Sequence, residues 1–249
     1  MIAPILLLHG FTGAPESWDE VTALLPGGNR HMCETLLGHG DAPLDLASTF
    51  VEELDRLAGR LRARETSRVC LVGYSLGARV ALGLLARHPE LFGSALLIGL
   101  NPGLSSESSR AERALEDERW ARLLEGHGIE AFVAAWERQP LFESQASLTP
   151  ARLDRQRAVR LERRPEGLAR ALRVLGLARM PDHWPLLPRI DTPIRLLTGE
   201  ADLAFQGLAE ALRADLPRAS LSLARGAGHN VPLEQPRAVA AAIMEVIAS

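Results

Sequence analysis

The chain has 249 residues, of which 47% are hydrophobic and 24% are charged, a composition typical of one globular domain or of one domain with an insertion. Its 28 basic and 31 acidic residues leave a formal net charge of −3, so the protein has no general positive field to attract nucleic acid or anionic lipid. All 28 basic residues are arginine, and the absence of lysine excludes a Schiff-base lysine and a P-loop phosphate ligand.

The cysteine content and the hydropathy pattern indicate a cellular location. Cys33 and Cys70 are too few for a disulfide framework, and Cys70 lies in an apolar run typical of a buried thiol. No apolar run approaches the roughly 18 residues of a membrane span, and the first residues lack a basic region and a small-residue cleavage site. We therefore expect a cytoplasmic protein with no membrane span; its oligomeric state is not indicated.

Short runs of β-forming residues alternate with longer segments of helical periodicity along the chain. We predict strands at 5–8, 31–35, 69–72, 95–98, 194–198 and 220–223. Helical spacing of apolar residues predicts helices at 50–64, 76–87, 203–212 and 237–247. This alternation predicts an α/β fold with a mostly parallel sheet and helices on both faces.

One connection departs from this alternation. From Gly99 to about Pro193 the chain shows helical patterns and no convincing strand, which is far longer than an ordinary loop. The segment is rich in arginine and holds three of the four tryptophans, Trp120, Trp136 and Trp184. We expect a helical lid at 100–190 over the carboxyl edge of the sheet, with a core formed by 1–99 and 191–249.

A nucleophile motif lies between a predicted strand and a predicted helix. Residues 73–77 read Gly-Tyr-Ser-Leu-Gly and match G-x-S-x-G, the turn that raises a serine to the edge of a sheet. The apolar strand before it and the amphipathic helix after it are the context that this turn requires. Ser75 is therefore the candidate nucleophile.

A serine nucleophile needs an imidazole to take its proton and a carboxylate to orient the imidazole. His229 follows the last predicted strand, and Asp202 follows the strand at 194–198. Both therefore fall at the same sheet edge as Ser75, in the chain order Ser, Asp, His that is typical of α/β-hydrolases. The nearby carboxylates Glu200, Asp182 and Asp191 remain alternatives to Asp202.

The first strand is followed by residues 9–13, His-Gly-Phe-Thr-Gly, where this architecture supplies an oxyanion-hole amide. Phe11 and Leu76 are predicted to provide the two backbone N–H groups. We interpret His9 and His39 as structural hydrogen-bonding residues. No metal or other cofactor is expected, because the remaining histidines show no ligand spacing.

Arg79 lies four residues after Ser75 and therefore on the same helix face. A buried cation without a partner is costly, so we expect it to pair with a carboxylate. From the residues alone, either a protein carboxylate or a ligand carboxylate fits.

Taken together, these motifs resemble one family of the α/β-hydrolase superfamily, the 2-succinyl-6-hydroxy-2,4-cyclohexadiene-1-carboxylate synthases of menaquinone biosynthesis. The resemblance covers nearly the whole chain, and its discriminating parts are Tyr74, Arg79 and 136–142. Leu37 and Ala78 depart from the family pattern, where proline and glycine are usual. The matching segments are 8–13 with Trp18, 38–40, 73–79, Trp136 with 139–142, 199–202 with Phe205, and 227–230 with 234–236.

The resemblance implies an α/β-hydrolase fold and a lyase that releases pyruvate from 2-succinyl-5-enolpyruvyl-6-hydroxy-3-cyclohexene-1-carboxylate. It implies that Ser75, activated by His229 and Asp202, abstracts a ring proton. It also implies that arginines bind the carboxylates of this small anionic substrate and that Tyr74 and Trp136 line the pocket. The arginines implied are Arg79, Arg113 and Arg160, with Arg110, Arg119, Arg157 and Arg163 as rivals for the last two.

Two other functions remain open from the sequence. A carboxylesterase or thioesterase would use the same three residues for acyl transfer and would need the Phe11 and Leu76 amides for its oxyanion. A non-enzymatic binding module is disfavoured, because a complete Ser-His-Asp set has no purpose in binding.

Overall fold

The strands form one sheet whose neighbours are all parallel. In the computed structural model, which describes residues 3–28 and 30–248, the strands are β1 (Ile5–Leu8), β2 (His31–Glu34), β3 (Val69–Tyr74), β4 (Phe92–Ile98), β5 (Ile194–Gly199) and β6 (Ala219–Ala224). Their order across the sheet is β2-β1-β3-β4-β5-β6. The six predicted strands are confirmed; β4 begins at Phe92, earlier than expected, and β2 ends at Glu34.

The predicted helices are also present. Among the described residues the α-helices are α1 (Asp19–Thr22), α2 (Phe50–Arg64), α3 (Leu76–Arg87), α4 (Glu107–Trp136), α5 (Pro150–Leu161), α6 (Pro165–Leu175), α7 (Leu203–Asp215), α8 (Val231–Glu234) and α9 (Pro236–Ala248). The sequence of α2 explains where this helix begins and ends. At its start the Thr49 hydroxyl accepts a hydrogen bond from the Glu52 amide, and in its last turn the positive charges of Arg62 and Arg64 stabilise the carboxyl end of the helix dipole.

Helices cover both faces of the sheet. Alternate residues of each strand point to opposite faces, so each strand contributes apolar side chains to both layers. In β1, Leu6 and Leu8 join the core cluster that contains apolar residues of α2, α3 and α7. Ile5 and Leu7 join a second cluster, which contains apolar residues of α1 and α9. The parallel strands are therefore buried on both sides, which explains their continuous apolar sequences.

The long connection between β4 and β5 contains α4, a 3₁₀ segment at Pro140–Ser147, α5 and α6. Helix α4 is kinked at Gly128, where φ is +78°. The segment has a core of its own in which α4 residues such as Phe132 pack with α6 residues such as Leu168. Trp120, Phe132 and Trp136 form an aromatic group within it, with ring centroids 5.1 to 5.6 Å apart.

None of the helices in residues 3–28 and 30–248 combines the length and apolar character that crossing a bilayer requires.

Candidate active site

Ser75 lies on a strained turn between β3 and α3. Its backbone has φ +51° and ψ −109°, in a region that residues with a side chain rarely adopt. The turn is possible because its flanking residues are glycines: a Cβ on Gly77 would lie 2.1 Å from the Leu8 carbonyl oxygen, and one on Gly73 would lie 2.4 Å from the Gly77 carbonyl oxygen. The motif thus places the Ser75 hydroxyl at the carboxyl edge of the sheet.

A hydrogen-bonded chain joins Ser75 to the predicted histidine and aspartate. His229 Nδ1 lies 2.7 Å from Asp202 Oδ2, and His229 Nε2 lies 3.0 Å from Ser75 Oγ. An ionised carboxylate only accepts hydrogen bonds, so Nδ1 carries the proton and Nε2 is free to accept from the Ser75 hydroxyl. This is the tautomer that a general base requires.

Two of the three rival carboxylates have other partners in the described residues, and the third, Asp191, is exposed. Glu200 Oε2 accepts from the Gly226 amide at 3.0 Å, and Asp182 Oδ1 accepts from the Trp184 amide at 3.1 Å. The structure therefore brings Asp202, and neither of these two, to His229.

Glu234 holds the loop that carries His229. Its carboxylate is buried and accepts from the Gly228 amide at 2.7 Å and from the Asn230 amide at 3.1 Å, on either side of the histidine. The sequence analysis did not anticipate this role. The signal available was an acidic residue one turn into a helix that starts directly after the histidine loop.

The two predicted oxyanion amides are free of protein acceptors. The Leu76 N–H opens α3, and the Phe11 N–H follows β1; neither donates a hydrogen bond to a group in the described residues. The Phe11 loop rests on two buried imidazoles: His9 Nε2 accepts from the Leu36 amide at 3.3 Å, and His39 Nε2 accepts from the Thr12 amide at 3.2 Å. Burial lowers the pKa of His9 to about 4 and that of His39 well below its ordinary value, so both rings are neutral acceptors.

A cavity of about 220 Å³ opens beside Ser75 and His229. Three of the predicted substrate-binding residues, Tyr74, Trp136 and Arg160, line it. Burial raises the pKa of Tyr74, which keeps its phenol protonated. Trp136 Nε1 is buried and has no hydrogen-bond partner within the described residues.

Arg160 is the buried cation of this cavity. It is 4% exposed, its Nη1 lies 3.1 Å from Glu137 Oε1, and its guanidinium lies 5.1 Å from the centroid of the Phe142 ring. Burial lowers its pKa, while the hydrogen bond to Glu137 acts in the opposite direction. Glu137 also pairs with Arg157, so one carboxylate is shared by two guanidinium groups.

Arg79 and Arg113 do not line the cavity. Arg79 Nη1 donates to the Leu175 carbonyl of α6 at 2.9 Å, and Arg113 Nε donates to Asp117 Oδ1 at 2.8 Å. Burial, and then the charge of Arg113, lower the pKa of Arg79 to about 9, so it remains a cation at neutral pH. Asp117, which acts on Arg79 electrostatically, has no hydrogen-bond partner on its Oδ2 in the described part of the chain.

Three of the four rival arginines also have protein partners, and the fourth, Arg119, is exposed. Arg110 donates to the Met180 carbonyl at 3.0 Å, Arg157 pairs with Glu137, and Arg163 donates to the His39 carbonyl at 2.7 Å. Arg160 is thus the predicted insertion arginine that reaches the cavity. Arg152 and Arg155, which the sequence analysis did not single out, line its outer part and pair with Glu20.

Across residues 3–28 and 30–248, no group of three or more His, Cys, Asp or Glu side chains is arranged to hold a metal ion.

The parallel sheet, the strained serine turn and the order Ser, Asp, His define the class of α/β-hydrolase-fold enzymes. A model of the alpha/beta hydrolase family matches residues 5–242. A Bacillus subtilis (strain 168) protein, provisionally named 2-succinyl-6-hydroxy-2,4-cyclohexadiene-1-carboxylate synthase, is 34% identical over 98% of this chain and 90% of its own length. A protein of that name from Enterobacter sp. (strain 638) is 32% identical over 98% of this chain and 91% of its own length.

A solved structure agrees with these relatives. The structure of MenH from S. aureus superposes with a TM-score of 0.93 and 29% identity, covering 100% of this chain and 94% of that one. The chain therefore belongs to the α/β-hydrolase family and, within it, to the family of 2-succinyl-6-hydroxy-2,4-cyclohexadiene-1-carboxylate synthases. The resemblance seen in the sequence is confirmed.

Proposed function

We propose that this protein is a lyase of menaquinone biosynthesis that eliminates pyruvate from 2-succinyl-5-enolpyruvyl-6-hydroxy-3-cyclohexene-1-carboxylate. The observation that carries the proposal is that Ser75, hydrogen-bonded to His229, and the buried cation Arg160 face one cavity. A proton-abstracting oxygen opposite a guanidinium suits an anionic substrate from which a carbon-bound proton is removed. The names of the relatives support the same reaction.

In this reaction Ser75 acts as the base with the help of its partners. An unperturbed hydroxyl is a poor base, so His229 takes the Ser75 proton while Ser75 Oγ takes a proton from the substrate ring. Asp202 accepts from Nδ1, keeps the required tautomer and stabilises the imidazolium that forms. The electron pair released from the C–H bond passes into the ring and expels the enolpyruvyl oxygen. The C–O bond breaks, and the departing enolate takes up the proton held by His229 and becomes pyruvate, which restores the neutral imidazole.

The cavity residues would bind and orient the substrate, which carries three carboxylates. Arg160 offers a planar pair of donors to one of them, Tyr74 offers an O–H, and the Trp136 ring lines the cavity beside them. Arg79 and Arg113 are proposed to bind the others. In that case substrate carboxylates replace the Leu175 carbonyl and Asp117 as their partners, which requires a shift of the insertion relative to α3.

We propose that residues 100–190 form the lid of this site and that 1–99 and 191–249 form its core. The lining of the cavity supports this division: Trp136, Leu141 and Arg160 come from the insertion, whereas Tyr74 and Ser75 come from the core. Closing such a lid would exclude water from the reacting atoms.

Acyl transfer by an esterase or thioesterase is the second candidate. The free amides of Phe11 and Leu76 favour it, because a tetrahedral oxyanion needs two such donors.

A single assay pair separates the two reactions. Purified protein is incubated with the cyclohexene tricarboxylate while pyruvate is followed by coupled reduction to lactate, and p-nitrophenyl acetate is tested in parallel. We expect enzyme-dependent pyruvate release and slow ester hydrolysis. Rapid ester hydrolysis without pyruvate release would refute the lyase and favour the esterase, and inertness in both would favour a binding module.

A further inference from the structure

Three arginines of the insertion bind the backbone of the loop that follows β2. Arg163 Nη1 donates to the His39 carbonyl at 2.7 Å, and Arg164 Nη2 donates to the Gly40 and Ala42 carbonyls at 3.0 and 3.2 Å. Arg170 donates to the Leu44 and Ala47 carbonyls at 3.2 and 3.0 Å. We call residues 36–47 the clamped loop. These three arginines therefore fix the clamped loop and do not line the cavity.

The insertion also touches the clamped loop at very short range. Gly38 has φ +79°, and a Cβ on it would lie 2.1 Å from the Gly167 carbonyl oxygen of α6. Such an approach tolerates only glycine. The position of α6 and the position of the clamped loop are thus tightly coupled.

From the clamped loop, the side chain of His39 reaches the turn that carries Phe11. Gly13 donates to the Gly10 carbonyl at 3.0 Å and closes a four-residue turn in which Thr12 is the third residue, with φ +66°. Glycine or asparagine is usual at such a position, and a β-branched residue there is strained unless its surroundings hold it. The only side chain in the described residues that binds the Thr12 amide is His39, through Nε2 at 3.2 Å.

The tautomer of His39 follows from its two contacts. Its Nδ1 lies 3.0 Å from the Leu37 carbonyl, which only accepts, so Nδ1 carries the proton and Nε2 is the acceptor for Thr12. The Thr12 N–H belongs to the peptide plane that it shares with Phe11. Holding it therefore restrains Phe11, whose ring also lies edge-on to the His39 ring with centroids 5.6 Å apart.

We propose that His39 is a positioning residue that aims the free Phe11 amide into the cavity, and that Arg163 of the insertion holds His39 in place. The amide then meets the negative charge that develops on a bound oxygen during reaction at Ser75. This role rests on the proposed site, but it does not depend on which of the two candidate reactions the site performs.

Two variants of His39 separate the hydrogen bond to Thr12 from the rest of the side chain. Gln can place Oε1 where Nε2 lies and keep the acceptor for Thr12. Asn can donate to the Leu37 carbonyl as Nδ1 does, but it is too short to reach Thr12. Both variants lose the ring contact with Phe11, so each serves as the control for the other.

The readout is the rate at which a fluorophosphonate probe labels Ser75, measured by intact mass. Ser75 Oγ forms a bond to phosphorus, fluoride leaves, His229 takes the serine proton, and the phosphonyl oxygen occupies the place of an oxyanion. We expect His39→Asn to label at least tenfold more slowly than the wild type, and His39→Gln to label within about threefold of it. The pyruvate assay should show the same contrast in kcat with little change in KM.

Arg163→Ala tests the second half of the proposal if His39→Asn does not fold. We expect labelling at least threefold slower than the wild type. Arg122→Ala is the control, because Arg122 is an insertion arginine that is 77% exposed and pairs with Glu118; it should label at the wild-type rate. Equal labelling of His39→Asn and His39→Gln, or wild-type labelling of a folded Arg163→Ala, would overturn the proposal. Absent pyruvate release with the labelling contrast intact would refute only the proposed lyase.

Discussion

The core edge and the insertion place their functional side chains in different ways. At the core edge, Ser75, Asp202 and His229 each follow a strand of one parallel sheet, so the backbone alone brings them together. In the insertion, arginines on adjacent turns have unrelated partners: Arg160 pairs with Glu137 in the cavity, whereas Arg163 binds a backbone carbonyl outside it. The position of a motif residue can thus be predicted from the strand that it follows. The role of an arginine on a helix of the insertion is known only once its hydrogen-bond acceptor is known.

The largest contrast between the two regions should come from Ser75. Ser75→Ala removes the proposed base, so we expect kcat for pyruvate release to fall by about 10³-fold or more, roughly 4 kcal/mol in the activation free energy. The melting temperature should hold or rise, since alanine removes no packing group.

Ser147→Ala is the matched control, because Ser147 is an exposed serine of the insertion whose hydroxyl binds only the Ser144 carbonyl within the described residues. It should retain full activity. Comparable activity of Ser75→Ala and wild type would remove Ser75 from the reaction.

The pH dependence of the free energy of unfolding should also differ between the core and the insertion. His9 is buried and neutral in the core, with a pKa of about 4 compared with about 6.5 when unfolded, so the unfolded state binds its proton first as the pH falls. The contribution of neutral His9 to the free energy of unfolding is therefore fully present above pH 6.5 and is lost as the pH falls towards 4. The loss is about 3 kcal/mol, which corresponds to roughly 6–12 °C in melting temperature. In the insertion, hydrogen bonds from Arg173 lower the pKa of Glu118 to about 2, so its contribution is lost only below about pH 4.5.

Thermal melts between pH 7 and pH 4.5 test this division. His9→Gln can keep the acceptor for the Leu36 amide but cannot be protonated, so its melting temperature should fall less over that range than that of the wild type. Glu118→Gln should leave the slope over the same range unchanged. If the Glu118 variant flattens the slope and the His9 variant does not, the acid sensitivity belongs to the insertion.

The smallest effects, and the sharpest test of the insertion arginines, concern Arg160 and Arg79. Arg160 lines the cavity, so we expect Arg160→Ala to lower kcat/KM on the tricarboxylate about a hundredfold, roughly 2.7 kcal/mol. Arg79→Ala should lower it at least tenfold, about 1.4 kcal/mol, because in the proposed complex Arg79 exchanges the Leu175 carbonyl for a substrate carboxylate.

Arg122→Ala again serves as the control for lost positive charge on the insertion. A fall in melting temperature with unchanged kcat/KM in Arg79→Ala would mean that Arg79 only fastens α3 to α6. A larger loss from Arg79→Ala than from Arg160→Ala would mean that the insertion rearranges substantially around the substrate.

Local patterns were sufficient for the fold and for Ser75 and His229 at the strand ends. Apolar periodicity predicts the strands and the four helices, because burial on a sheet face or a helix stripe imposes it. The choice between Asp202 and Glu200, two residues apart, was not local: it depends on the turn that directs one carboxylate to His229 and the other to the Gly226 amide.

The chain order of strands, glycines, serine, aspartate and histidine was enough to predict the α/β-hydrolase architecture and the sheet edge that carries the reactive residues. Each of these features is a pattern of a few neighbouring residues in the sequence. The packing of the insertion against the core decided which arginines face the cavity and that Arg79 meets a carbonyl of α6, and the packing within the core decided that His39 accepts from the Thr12 amide beside Phe11. Those contacts join residues 27 to 96 positions apart. A long guanidinium side chain on a helix has many acceptors within reach, and only the folded chain selects among them.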